Sequence, residues 1–118
     1  VAVKGGTAIL QSAMFMSNKV LTDAVHIFIT SDSTSIGSIG DTVSGLSLAS
    51  TVMDGTCGWF SITNSFDAGA VALGEKSNIG MVCKADSDST SLYLWAIAQG
   101  SSDWDVDTGV IRLGFVKD

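Results

Sequence analysis

The chain has no proline and little charge: Lys, Arg, Asp and Glu together make 15% of its 118 residues, against about 25% in an ordinary globular domain. Without proline, turns fall to the 13 glycines, and sheet edges lose one of their natural blockers. Five Lys and one Arg, thinly spread against 11 Asp and one Glu, leave no basic stripe for a nucleic-acid backbone or an anionic lipid surface. No apolar run approaches the roughly 18–20 residues of a spanning helix. Nucleic acid and membrane are therefore not expected as partners. One His, one Glu and one Arg are a poor stock for acid–base work, and no Walker loop, G-x-G-x-x-G, G-x-S-x-G or C-x-x-C occurs. The expectation is a protein that is not an enzyme and takes no cofactor. Two cysteines, Cys57 and Cys83, do not make a disulfide framework. Two buried free thiols and a single bridge both fit.

What is present is apolar residues and hydroxyls. The mean hydropathy is +0.40, and the polar surface has to come from 17 Ser and 10 Thr. A monomer rarely leaves so much apolar surface open, which points to an obligate oligomer or a component of a larger assembly. The length suits one domain, residues 1–118, that buries a core without cysteine staples.

Read in order, residues 1–6 form an N-terminal arm, flexible or partner-bound, jointed at Gly5-Gly6. Thr7–Met16 reads as a strand with Ile9, Gln11, Ala13 and Phe15 on one face, or as a helix joining Ile9, Ala13 and Met16. Ala24–Thr30 is a strand with Val25, Ile27 and Ile29 on one side. Residues 31–44 read as a Ser/Thr/Gly-rich loop. Asp54-Gly55 is a hairpin turn between Leu46–Val52 and Thr56–Thr63. Ser65–Gly69 and Gly74–Asn78 read as turns around a short strand at 70–73. Ile79–Lys84 and Val110–Val116 alternate, with Met81, Cys83, Ile111, Leu113 and Phe115 inward. Ser91–Ala98, apolar on both alternating faces, is expected at the centre. Short strands set off by turns about every ten residues predict an all-β domain: an antiparallel β-sandwich, jelly-roll or Ig-like, or a barrel.

The chemistry-bearing candidates are few. Asp103, Asp105 and Asp107 place three carboxylates on one side of an extended segment, the beginning of an oxygen-ligand calcium site. Glycine at the seventh position and Gly114 at the twelfth exclude an EF-hand. His26 has no nucleophile beside it in sequence. Met14, Phe15 and Met16 form a soft cluster suited to a packed interface, and Trp104, between two carboxylates, suits an interface anchor. Trp59, Tyr93, Trp95 and Trp104 could also serve as a platform for sugar rings, which stack on aromatic faces.

The opening Ala2-Val3-Lys4, the ending 109-GVIRLGFVKD-118 and the Ser/Thr/Gly-rich, charge-poor texture resemble small virion structural proteins of tailed bacteriophages. These are capsid decoration (cement) proteins and tail components. The resemblance implies a non-enzymatic, multivalent role in the virion after assembly in the host cytoplasm. It implies a homo-oligomer, a trimer above all, touching the major capsid protein or other virion proteins. The alternative is a tail-tip or fibre module that binds host-surface glycans, with calcium at Asp103–Asp107.

Overall fold

The computed structural model of the chain describes residues 1–18, 24–33, 54–67, 71–98 and 109–117. They contain eight strands: β1 (Thr7–Ser17), β2 (Val25–Thr30), β3 (Thr56–Ile62), β4 (Asn64–Asp67), β5 (Ala72–Lys76), β6 (Met81–Lys84), β7 (Tyr93–Ala98) and β8 (Gly109–Lys117). Two antiparallel sheets pack face to face, the all-β architecture expected from the turn-punctuated strands.

β1 is the centre of the five-stranded sheet. Along one edge it pairs with β8 from Ala8 to Ser17. Its other edge is shared: β6 pairs with Thr7–Leu10 and β5 with Ala13–Ser17, and β4 adds on beyond β5. β5 and β6 thus act as one interrupted strand. Four residues, 77–80, lie opposite only Gln11 and Ser12. The excess is looped out through Asn78 and Gly80, both left-handed (φ 56° and 65°). The Ile79 N–H still donates to the Gln11 carbonyl at 3.0 Å. The three-stranded sheet runs β3-β2-β7.

The same place in β1 carries a bulge. Leu10 faces Phe115 and Ser12 faces Gly114, so Gln11 is extra. An extra residue shifts the alternation by one. Ala8 and Leu10 point inward before it, and Ala13, Phe15 and Ser17 after it. The expected face of Ile9, Gln11, Ala13 and Phe15 is corrected accordingly: Ile9 and Gln11 are exposed, and Leu10 joins Phe15 in the core. Strict alternation counted from Leu10 would have put Phe15 in water.

Between the sheets, Leu10, Ala13 and Phe15 of β1 and Cys83 of β6 meet Val25, Ile27 and Ile29 of β2 and Phe60 and Ile62 of β3. β2 follows its sequence alternation as far as Ile29 and β8 as far as Leu113, but Thr30 is buried and Phe115, expected inward, is 38% exposed.

Three other expectations are corrected. The doubly apolar 91–98 segment is not central: β7 pairs only with β2 among the described residues, and none of its side chains is fully buried. Its two apolar faces line one inner and one outer sheet surface. The expected turn at 65–69 gives way at its start to β4, and the one at 74–78 to β5. Gly74 is a packing glycine: a Cβ there would lie 2.6 Å from Ile62 Cγ2 and 2.8 Å from the Thr63 carbonyl. β3 pairs with β2, while the proposed hairpin partner, residues 46–52, lies outside the described residues, as do residues 34–44 of the expected loop. The 1–6 segment lies against its own chain. Gly5 N–H reaches the Asp86 and Ser89 carbonyls at 3.1 and 3.0 Å, and the Val1 ammonium reaches the Thr90 carbonyl at 2.8 Å.

Gly74→Ala tests how closely the sheets approach. Overpacking against the Thr63 backbone is expected to cost about 1–3 kcal/mol in urea unfolding. A Gly74→Ala midpoint equal to wild type would contradict the close contact.

Candidate functional site

The outward faces of both sheets are apolar. On the five-stranded sheet, register places Val116, Ile9 and Val82 side by side across β8, β1 and β6. Their exposures are 58%, 37% and 60%. Toward the other end of β1, Val110, Met16 and Leu73 form a second row across β8, β1 and β5. Val110 is 49% exposed. Between these rows lies a third, Arg112–Met14–Glu75, with the cation on the β8 side and the anion on the β5 side. Arg112 and Glu75 are both exposed.

Of the predicted interface cluster, Met14 and Met16 lie half-buried on this outer face, whereas Phe15 is in the core with 1% of its surface exposed. Removing a ring buried to that degree costs about 3–5 kcal/mol, a large part of the 5–15 kcal/mol that holds a domain together. Trp104, Asp103, Asp105 and Asp107 lie outside the described residues. Among the described residues no group of three His, Cys, Asp or Glu side chains could hold a metal ion. Sequence reasoning missed Ile9, Val82, Val110 and Val116. The signal was present, since Val110 and Val116 share the parity of outward Arg112, and Val82 that of Lys84.

The outer face of the three-stranded sheet carries aromatics. Trp59, Phe28 and Trp95 lie in one row across β3, β2 and β7. Trp59 is 58% exposed and stacks on Phe28, with centroids 6.0 Å apart and planes at 20°. His26 meets the Trp59 ring edge-on at 5.7 Å, and its Nδ1 is 2.6 Å from Ser61 Oγ. His26 therefore sits in a hydrogen-bonded surface cluster. Of the proposed platform, the structure places Trp59 and Trp95 in this row. Tyr93 lies beyond it, at the Thr30 position of the register.

Clefts open on the sandwich among the described residues. One of about 260 Å³ opens between β7 and β8 over Ile29, Leu92, Leu94, Leu113 and Phe115, and its wall is mainly apolar. Another, about 500 Å³, is polar and runs past Ser31, Asp54, Cys57, Lys84 and Asp86. Cys57 lies in its wall because of a second bulge. Ile29 faces Gly58 and Thr30 faces Thr56, which leaves Cys57 extra in β3 and turns it toward the core. Its thiol donates to the Lys84 carbonyl oxygen at 3.9 Å, and the Cys83 thiol donates to the Met81 carbonyl oxygen at 3.8 Å. A hydrogen bond from the Cys83 side chain favours a Cys57 thiolate, against the opposing effect of burial, and lowers its pKa from 9.0 to about 6. That same bond, then burial and the Cys57 charge, push Cys83 up.

Comparison with known proteins finds no matching family model, no similar curated protein and no matching solved structure.

The thiolate is the reactive form, so Cys57 alkylation should rise with pH through about 6 and level off above it. Cys83 should stay unmodified until the chain unfolds. A mass-resolved iodoacetamide profile that climbs only near pH 9 would count against the thiol pairing.

Proposed function

We propose that this protein is a non-enzymatic structural component of a phage particle, of the capsid-decoration kind that its sequence resembles. It works by burying the outer face of its five-stranded sheet against another copy of itself. The observation that supports this is the apolar–charged–apolar order of the three outward rows.

That order is self-complementary in one arrangement. A two-fold axis parallel to β1, midway between two facing sheets, lays β8 of one copy over β5 and β6 of the other. Val116 then meets Val82, Val110 meets Leu73, and Arg112 meets Glu75 twice. A two-fold perpendicular to β1 would set Arg112 on Arg112. Aligned sheet packing keeps strand directions within about 30°, which the first axis satisfies. The contact is isologous and closes on itself. Exposed ion pairs contribute only about 0.2–1 kcal/mol each. The charges therefore choose the orientation, and the apolar rows supply most of the free energy.

Light scattering after size exclusion is expected to give twice the 12.2 kDa chain mass. Arg112→Glu should weaken the dimer, and the exchange Arg112→Glu with Glu75→Arg should restore it. A wild-type monomer or trimer, or an exchange that fails to restore, rules out this two-fold. In purified particles the chain should be present at a copy number comparable to the major capsid protein; absence from particles rules out the structural role.

A second reading, a host-glycan-binding module, is favoured by the Trp59–Phe28–Trp95 row, because an exposed indole held flat on a second ring suits a pyranose face. Trp59→Ala should then abolish retention on immobilised glycans while leaving the thermal midpoint unchanged. A wild-type protein that no glycan retains would remove this reading.

A further inference from the structure

We infer that Cys57 and Cys83 are a redox pair, an attacking thiol on β3 and a buried resolving thiol on β6, which a low-molecular-weight disulfide such as oxidised glutathione converts into a bond between the two sheets. The inference does not depend on the proposed function.

Three observations place the two sulfurs together. The β3 bulge turns Cys57 inward against the alternation that carries Trp59 and Ser61 outward. Its thiol donates to the carbonyl oxygen of Lys84, the residue next to Cys83, at 3.9 Å, and Cys57 packs against the core cluster that contains Cys83. The strands also nearly touch there: a Cβ on Gly58 would lie 2.8 Å from Met81 Cε.

The two cysteines differ in access. Cys57 is half-buried in the wall of the polar cleft, whereas Cys83 is fully buried. The Cys57 thiolate attacks one sulfur of the small disulfide. One S–S bond breaks, a glutathione thiolate leaves, and a mixed disulfide forms at Cys57. Cys57 then carries no charge and accepts no proton from Cys83, so two of the three effects that hold Cys83 protonated disappear. Cys83 gives its proton to the departing thiolate and attacks Cys57 Sγ, which releases the second glutathione. Counted from two thiols, the protein gives up two electrons and two protons, one of them to solvent when Cys57 ionises; the glutathione disulfide takes up the two electrons, and its two thiolates take one proton from Cys83 and one from solvent. The order is set by burial, since the resolving thiol meets no reagent directly.

The bond would join the five-stranded sheet to the three-stranded one and close the chain between positions 57 and 83. A closed loop of that size raises the melting temperature by on the order of 10 °C in a domain of this length.

The test is intact-mass analysis of the whole chain after oxidised glutathione at neutral pH. Wild type is expected to lose two hydrogen masses and both alkylatable thiols, and to melt higher by the margin above until dithiothreitol reverses it. Cys83→Ala is expected to stop as the mixed disulfide at Cys57, and Cys57→Ala to remain unmodified. The inference is overturned if oxidised wild type keeps two free thiols or accumulates the mixed disulfide. It is overturned equally if Cys57→Ala takes up glutathione at Cys83 while native. The wild-type measurement decides the matter even if a variant fails to fold.

Discussion

One extra residue in β1 governs which side of the five-stranded sheet is core and which is surface. Leu10 and Phe15 are five positions apart and could not share a face of a regular strand. With Gln11 bulged they do, and both are fully buried. The bulge sits where β5 gives way to β6 on one edge and where β8 slips its register on the other. Both neighbours therefore accommodate the same irregularity. The inner face collects Leu10, Ala13 and Phe15, and the outer face is left with Ile9, Met14 and Met16. Aliphatic residues on both faces of β1 are thus a consequence of how this strand is phased.

The two outer faces differ in chemistry. The five-stranded sheet presents flat aliphatic rows with one cation and one anion on opposite sides of the central strand. The three-stranded sheet presents stacked rings beside a His26–Ser61 hydrogen bond. An aliphatic face without directional groups suits a protein surface of the same kind, where area drives association and a charge pair sets orientation. A rigid ring with polar neighbours suits a ligand that needs both stacking and hydrogen bonds. These are the two functional readings in physical terms, and they occupy opposite sides of the molecule.

Much of the fold was legible in the sequence. Val25–Ile29 and Val110–Leu113 alternate and fold as they read, whereas Thr30 is buried and Phe115, expected inward, is exposed. In residues 64–76 the signals misled, whereas Met81 and Cys83 face inward as their alternation predicts. Gly74 looks like a turn residue, but its missing side chain makes room for Ile62 and Thr63; local patterning carries no trace of a contact eleven or twelve residues away. Ser91–Ala98 looks central because both its faces are apolar. Apolarity on two faces does not distinguish a strand between two layers from one whose second face lies on the outside.

The sequence alone determined a charge-poor, proline-free chain of short alternating strands, and hence two packed sheets with apolar surface left over, because hydrophobic period and turn residues act locally. Only the tertiary structure decided which residues meet. The bulges at Gln11 and Cys57 re-aim everything after them by one position, and a bulge is stabilised by pairing partners distant in sequence. For that reason the burial of Phe15, the order of the outward rows and the meeting of Cys57 with Cys83 could not be read from spacing.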